Sequence, residues 1–153
     1  MTHGGDPSAA SVRAGRQRAR LGQVRALEAR ISRLRAAQVR VLAEYGQAAA
    51  ASTTGSAVGL VSLVDELDGA EEELAVAMTW TVHRAQTALH EARVLHRVLP
   101  ATAATLAAGQ VDYPRAQAVV RAVADLDDAQ AGAVDTAVAD RIPMLTTGQV
   151  RDL

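Results

Sequence analysis

The longest regular pattern of apolar positions lies near the N-terminus. Val24, Leu27, Ile31, Leu34, Val41 and Tyr45, with Gln38 in register, repeat at alternating intervals of three and four. That spacing is an a/d seam of about three heptads, and it predicts one long amphipathic helix over residues 16–45. A polar Gln at an a-like position acts as a register device in some coiled coils. The helix either lies on its own bundle through this seam or joins a second copy of the chain. Residues 1–15 carry no comparable pattern and read as disordered.

After the seam the pattern breaks into short pieces. QAAAASTTG is small and low in complexity, so residues 46–55 read as a flexible linker. An apolar helix is predicted over residues 57–67, broken at Asp68-Gly69, with an acid-led helix over residues 70–78. Thr79-Trp80-Thr81 is a turn, and Thr81 is a suitable N-cap for a helix reaching about Leu99. Its inward stripe is Val82, Ala85, Leu89, Ala92, His96 and Leu99, widened by Ala88 and Leu95. Its outward face holds His83, Thr87, His90, Val94 and Arg97, flanked by Gln86 and Arg93.

Pro100 ends that helix and opens the next, and Gly109 supplies a left-handed stop. Pro114 opens another helix, with Ala118, Val119, Ala122, Val123 and Leu126 as its apolar face. Asp127 caps a further one with help from Gln130, and Pro143 terminates it. Thr146-x-x-Gln149 is a capping box for a last helix, of which the sequence contains about one turn. A helix that short needs packing to hold, so either the fold tolerates a frayed end or the sequence is truncated there. The fold class is therefore all-α: a long N-terminal helix, a linker, and an array of short packed helices over residues 56–153.

Composition changes this picture in two ways. Apolar residues make up 49% of the chain, but Ala supplies much of that, Phe is absent, and Trp80, Tyr45 and Tyr113 are the only aromatics. Ala buries little area, which predicts close helix packing around a thin core. Lys, Asn, Phe and Cys are all missing, the bias of a high-GC bacterial coding sequence. Without Cys there is no disulfide framework and no sign of an oxidising compartment. No apolar run approaches a membrane span, and the N-terminus has no signal-peptide core, so the expected location is cytoplasmic.

Charge is uneven along the chain. Nine Arg and one acid, Glu28, lie between Val12 and Val41. No Arg occurs from there to Arg84, a stretch that holds Glu44, Asp65, Glu66, Asp68, Glu71, Glu72 and Glu73. One reading is a solvated helix with charge complementarity inside the chain. The other is a helix facing nucleic acid, with Arg25, Arg33 and Arg40 on phosphates.

Candidate chemistry is sparse. The histidines are His3, His83, His90 and His96, without the acids or Cys that would complete a metal site. No Ser sits in a G-x-S-x-G context, the carboxylates gather at helix starts where capping accounts for them, and no phosphate loop is present. The reading is therefore no enzyme and no cofactor. One motif remains. Leu74, Ala75, Met78, the turn at Thr79, then Ala85 and Ala88 have helix-turn-helix spacing, with Thr79 where a turn Gly is usual. On that reading Val82, His83, Arg84, Gln86 and Thr87 lie near DNA, where Arg reads guanine and Gln reads adenine. The alternative is that Ala-rich bundles produce this spacing by chance.

Several junctions, in order, resemble one family. ELAVAMTWTVHRAQTAL, LPATAATLAAGQVDYPRAQAVV, LDDAQAGAVD and PMLTTGQVRDL are similar to segments of the domain-of-unknown-function 222 family, also called the 13E12 repeat family. The likeness covers about residues 70–153, and ALEARISRLRAAQVRVLAEYG looks like the helix that precedes this region. Members commonly place this helical domain ahead of an HNH endonuclease domain, whose histidines and asparagine bind a metal and cut DNA. This chain has no Asn and no His after His96, so no nuclease residue carries over. The resemblance implies a non-catalytic, DNA-associated module. The alternatives are a coiled-coil interaction or homo-oligomerisation module and a gene remnant without activity.

Overall fold

The computed structural model describes the backbone of residues 7–54 and 62–152 and the side chains of residues 11–51 and 69–152. Among these residues the protein is all-α, with no strand. The order is α1 (Pro7–Thr54), α2 (Ser62–Met78), α3 (Val82–Arg97), α4 (Pro100–Ala108), α5 (Tyr113–Ala122), α6 (Asp128–Val138), a 3-10 turn (Ile142–Met144) and α7 (Thr147–Arg151). Among the described residues, no helix is long and apolar enough to cross a membrane.

Helix α1 is longer than its apolar pattern. Its described part begins at Pro7, and residues 7–15, expected to be disordered, are helical. It also runs through residues 46–54, which were expected to be a linker. The four consecutive Ala of that stretch are strong helix formers and outweigh the Ser-Thr-Thr that follows. Helix α2 likewise continues through Asp68-Gly69, where a break was expected. One Gly in a helix costs about 1 kcal/mol, and burial of Ala70 and Ala75 in the packing of α2 against α1 and α3 offsets it. Residues 1–6 and 55–61, parts of the expected disordered tail, linker and apolar helix, lie outside the described residues.

Helix α3 is the centre of the bundle and packs on α1, α2, α4 and α5. Its buried residues are Ala85, Glu91, Ala92 and Leu95. Two residues expected on the inward stripe, Val82 and His96, are exposed instead, because the buried stripe is rotated toward Glu91 and Leu95. Small side chains bring the backbones together: Ala85, Ala92 and Ala116 are fully buried. Leu95, Leu99, Leu106 and Ile142 supply the bulk, each burial contributing about 1.5–3 kcal/mol. On α5 the buried set is Ala116, Ala118, Val119 and Val120, whereas Ala122 and Leu126, expected inside, are exposed.

Helix ends follow their capping chemistry. Thr81, Asp112, Asp127 and Thr146 each accept a backbone N–H from the residue three positions on, and the last two form full capping boxes. Helix α4 has no cap of its own at Leu99. Asp135, fully buried on α6, reaches across instead: its carboxylate accepts from Ala101 N at 2.7 Å, Thr102 N at 2.9 Å and Thr102 Oγ1 at 2.6 Å. Short α7 holds because it packs on α5 with Val150 buried.

Candidate nucleic-acid interface

The turn between α2 and α3 is a Schellman motif. Trp80 N–H donates to Ala75 O at 2.8 Å and Thr79 N–H donates to Val76 O at 3.2 Å. Thr79 has φ 55, the left-handed conformation for which a Gly is usual. Ala75 and Ala85 are both buried, so the two helices approach closely on either side of the turn.

The predicted site residues fall on three different surfaces. His83, Gln86 and Thr87 lie on the exposed face of α3, with the Thr87 hydroxyl donating to His83 O at 2.9 Å. Arg84 is exposed as well, but its guanidinium lies 4.3 Å from the centroid of the Trp80 ring. Two residues along a helix are about 200° apart, so Arg84 and Gln86 point to nearly opposite sides of α3. The structure therefore does not combine the predicted Arg and Gln into one reading surface.

Arg25, Arg33 and Arg40 are exposed on α1 and fall within about 80° of one another around the helix. Arg33 and Arg40 line a groove of about 430 Å³ between α1 and α4, with His96 on its other wall and Ala36, Ala103 and Leu106 within it. The Arg33 guanidinium also lies against Gly109, where a Cβ would come within 3.1 Å of it. That places a cation at the C-terminus of α4, where it complements the helix dipole.

The sequence pattern underrated three residues. Arg93 and Arg97 extend the outward face of α3 with His90, and together they form a ridge between two grooves. One groove runs along α1 and α2, the other along α5 and α6. His96, assigned inward by periodicity, is the exposed wall of the α1–α4 groove. Its signal was its chemistry, since an ionisable ring at a stripe edge turns to solvent when room exists.

One buried polar cluster ties the site to the core. Glu91 accepts the Tyr113 hydroxyl at 2.7 Å and both its oxygens accept from Gln117 Nε2, at 3.0 and 2.9 Å. Burial, reinforced by this bond to Glu91, pushes the Tyr113 hydroxyl pKa well up from 10.0. Arg35 lies 5.8 Å from the Tyr113 ring centroid, so α1, α3 and α5 meet there. Among the described residues, no group of three or more His, Asp or Glu is placed to hold a metal ion.

A family model described as a domain of unknown function, number 222, matches residues 21–153. The chain belongs to this family. Neither a curated protein nor a solved structure matches the chain. The domain-of-unknown-function 222 region is thus wider than the junctions at residues 70–153 suggested, and it takes in most of α1, including the seam and Arg25, Arg33 and Arg40. Within the family region, two of the junction segments meet in space. The Leu99-Pro100-Ala101-Thr102 start of α4 is capped by Asp135, the last residue of LDDAQAGAVD.

Proposed function

We propose that this domain-of-unknown-function 222 protein is a non-catalytic helical module that associates with DNA, of the kind found beside HNH endonucleases. One observation carries the reading. All nine Arg between Arg13 and Arg40 are exposed on α1, and the only ion pair they make among the described residues is Arg40 with Glu44, at 3.8 Å. These arginines occupy residues 13–40, about 42 Å of helix, so the charge is presented as an extended strip that winds around the axis. Such a strip neutralises backbone phosphates and releases counterions, which gives affinity without sequence preference. The outward face of α3, with His83, Gln86, Thr87, Arg93 and Arg97, is the second basic surface and the one that can enter a groove.

Fluorescence anisotropy with a labelled duplex tests the proposal. Binding is expected at about 50 mM salt and should weaken steeply as salt rises. Absence of binding at that salt would overturn the reading. Gln86→Ala separates the two surfaces: it lowers affinity if α3 reads base edges and leaves it unchanged if α1 alone carries the contact.

A further inference from the structure

The described structure leaves the heptad seam of α1 unpartnered over most of its length. Val24, Leu27, Ile31, Leu34 and Val41 are between 52% and 64% exposed, an apolar stripe on one helix interrupted only by Gln38. Packing of α1 on its own bundle uses another side, through the buried Ser32, Val39 and Ala43. Among the described residues the stripe therefore does not serve the fold. Helix α2 covers only its end, where the Tyr45 hydroxyl donates to Ala70 O at 3.1 Å and to Glu73 Oε2 at 2.8 Å. Beside that contact an apolar groove of about 420 Å³ stays open, lined by Ala37, Val41, Met78 and Trp80.

We infer that this stripe pairs with the same stripe of a second copy, in antiparallel orientation. The occupant follows from the pattern, because a 3-4 repeat of knobs fits a helix carrying the same repeat. The orientation follows from charge. Continued toward the N-terminus, the seam register passes through Arg20 and Arg13. A parallel dimer sets each of these against itself in the second copy and brings Arg30 beside Arg35. An antiparallel dimer centred on Ile31 opposite Leu34 removes those repulsions. It sets Val24 opposite Val41, at the open groove, and Leu27 opposite Gln38. Glu28, the one acid among the nine Arg, falls beside Arg35 of the second copy, and this happens twice by symmetry. Arg20 reaches Tyr45 and its partner Glu73. The paired residues 20–45 span about 39 Å of helix.

Arg13 and Arg20 share the seam register, but Arg25, Arg33 and Arg40 lie on roughly the opposite side of α1, so the pairing leaves those three free for the DNA reading. Light scattering on the full chain tests it. A mass of twice 16.0 kDa is expected at tens of micromolar, falling to 16.0 kDa for Ile31→Asp with the far-UV circular dichroism unchanged. Val76→Asp, at an exposed position off the seam, should leave the dimer intact. A monomeric wild type, or a dimer that survives Ile31→Asp, would overturn the pairing. Orientation is read by cross-linking, since the chain has no Cys of its own. Mixed Ile31→Cys and Leu34→Cys chains should give the mixed disulfide. Efficient self-linking of Ile31→Cys alone would show a parallel pair and overturn the antiparallel assignment.

Discussion

Two residues occupy the same backbone conformation with opposite consequences. Gly109 ends α4 in a Schellman motif with φ 75, donating to Leu106 O, while Gln110 N donates to Thr105 O at 3.0 Å. Thr79 ends α2 in the same motif with φ 55, but it carries a β-branched side chain. The left-handed region costs an L-residue about 1–2 kcal/mol, a cost that glycine escapes. Glycine gives part of this back through its freer unfolded chain. Thr79→Gly should therefore stabilise the fold by about 0.5–1 kcal/mol in urea titrations. Gly109→Ala should destabilise it by more than about 1 kcal/mol, because a Cβ there also lies 2.7 Å from Ala29 O. Equal effects of one sign from both substitutions would show that the two turns are not equivalent in solution. Gly109 was legible as a stop because Gly at a helix end names the conformation. Thr79 was legible only as the place where such a Gly is missing.

At the level of elements, what the sequence displays is local. The turn at Thr79–Thr81, the caps at Thr81, Asp127 and Thr146, and the Pro100 junction each depend on residues within four positions, and the structure has them all. Rotation of a helix about its axis is not local. His96 and Val82 looked inward by spacing, yet the stripe turned toward Glu91 because α5 brings Tyr113 and Gln117 to its carboxylate. No periodicity announces a buried Glu, and none announces Asp135 capping a helix 33 residues earlier. The Glu91–Tyr113 bond makes a pH prediction. The folded state raises the Tyr113 pKa, chiefly through burial, so above pH 10.0 the unfolded chain ionises first and is favoured. Stability is thus fully present below that pH and falls above it. Tyr113→Phe should lose the Glu91 hydrogen bond near neutral pH and show a shallower alkaline decline, read from denaturation midpoints at several pH values. An identical alkaline slope in the variant would mean that the fold does not raise the Tyr113 hydroxyl pKa, and that the hydroxyl is not buried against Glu91 as described.

For the whole molecule, α1 is the part whose role the bundle does not explain. It presents a basic side and an apolar seam in different directions, and the fold uses neither in full. The side with Arg25, Arg33 and Arg40 borders the α1–α4 groove, and the seam with Ile31 and Leu34 faces away from it. If phosphate binding and self-association use these separate sides, they respond to different substitutions. Salt dependence distinguishes them, because the slope of log affinity against log salt changes by about 0.9 for each phosphate contact. Replacing Arg25, Arg33 and Arg40 together by Ala should reduce that slope by up to about 3 and leave the mass unchanged. Ile31→Asp should halve the mass and leave the slope per protomer as it was. An antiparallel pair also turns its two arginine sides outward, away from each other. The dimer would then hold two duplexes rather than grip one more tightly, and Ile31→Asp would abolish bridging between a surface-bound and a free labelled duplex. If Ile31→Asp flattened the salt slope as much as the triple Arg substitution does, the two surfaces would not be independent, and the separation of roles along α1 would fail.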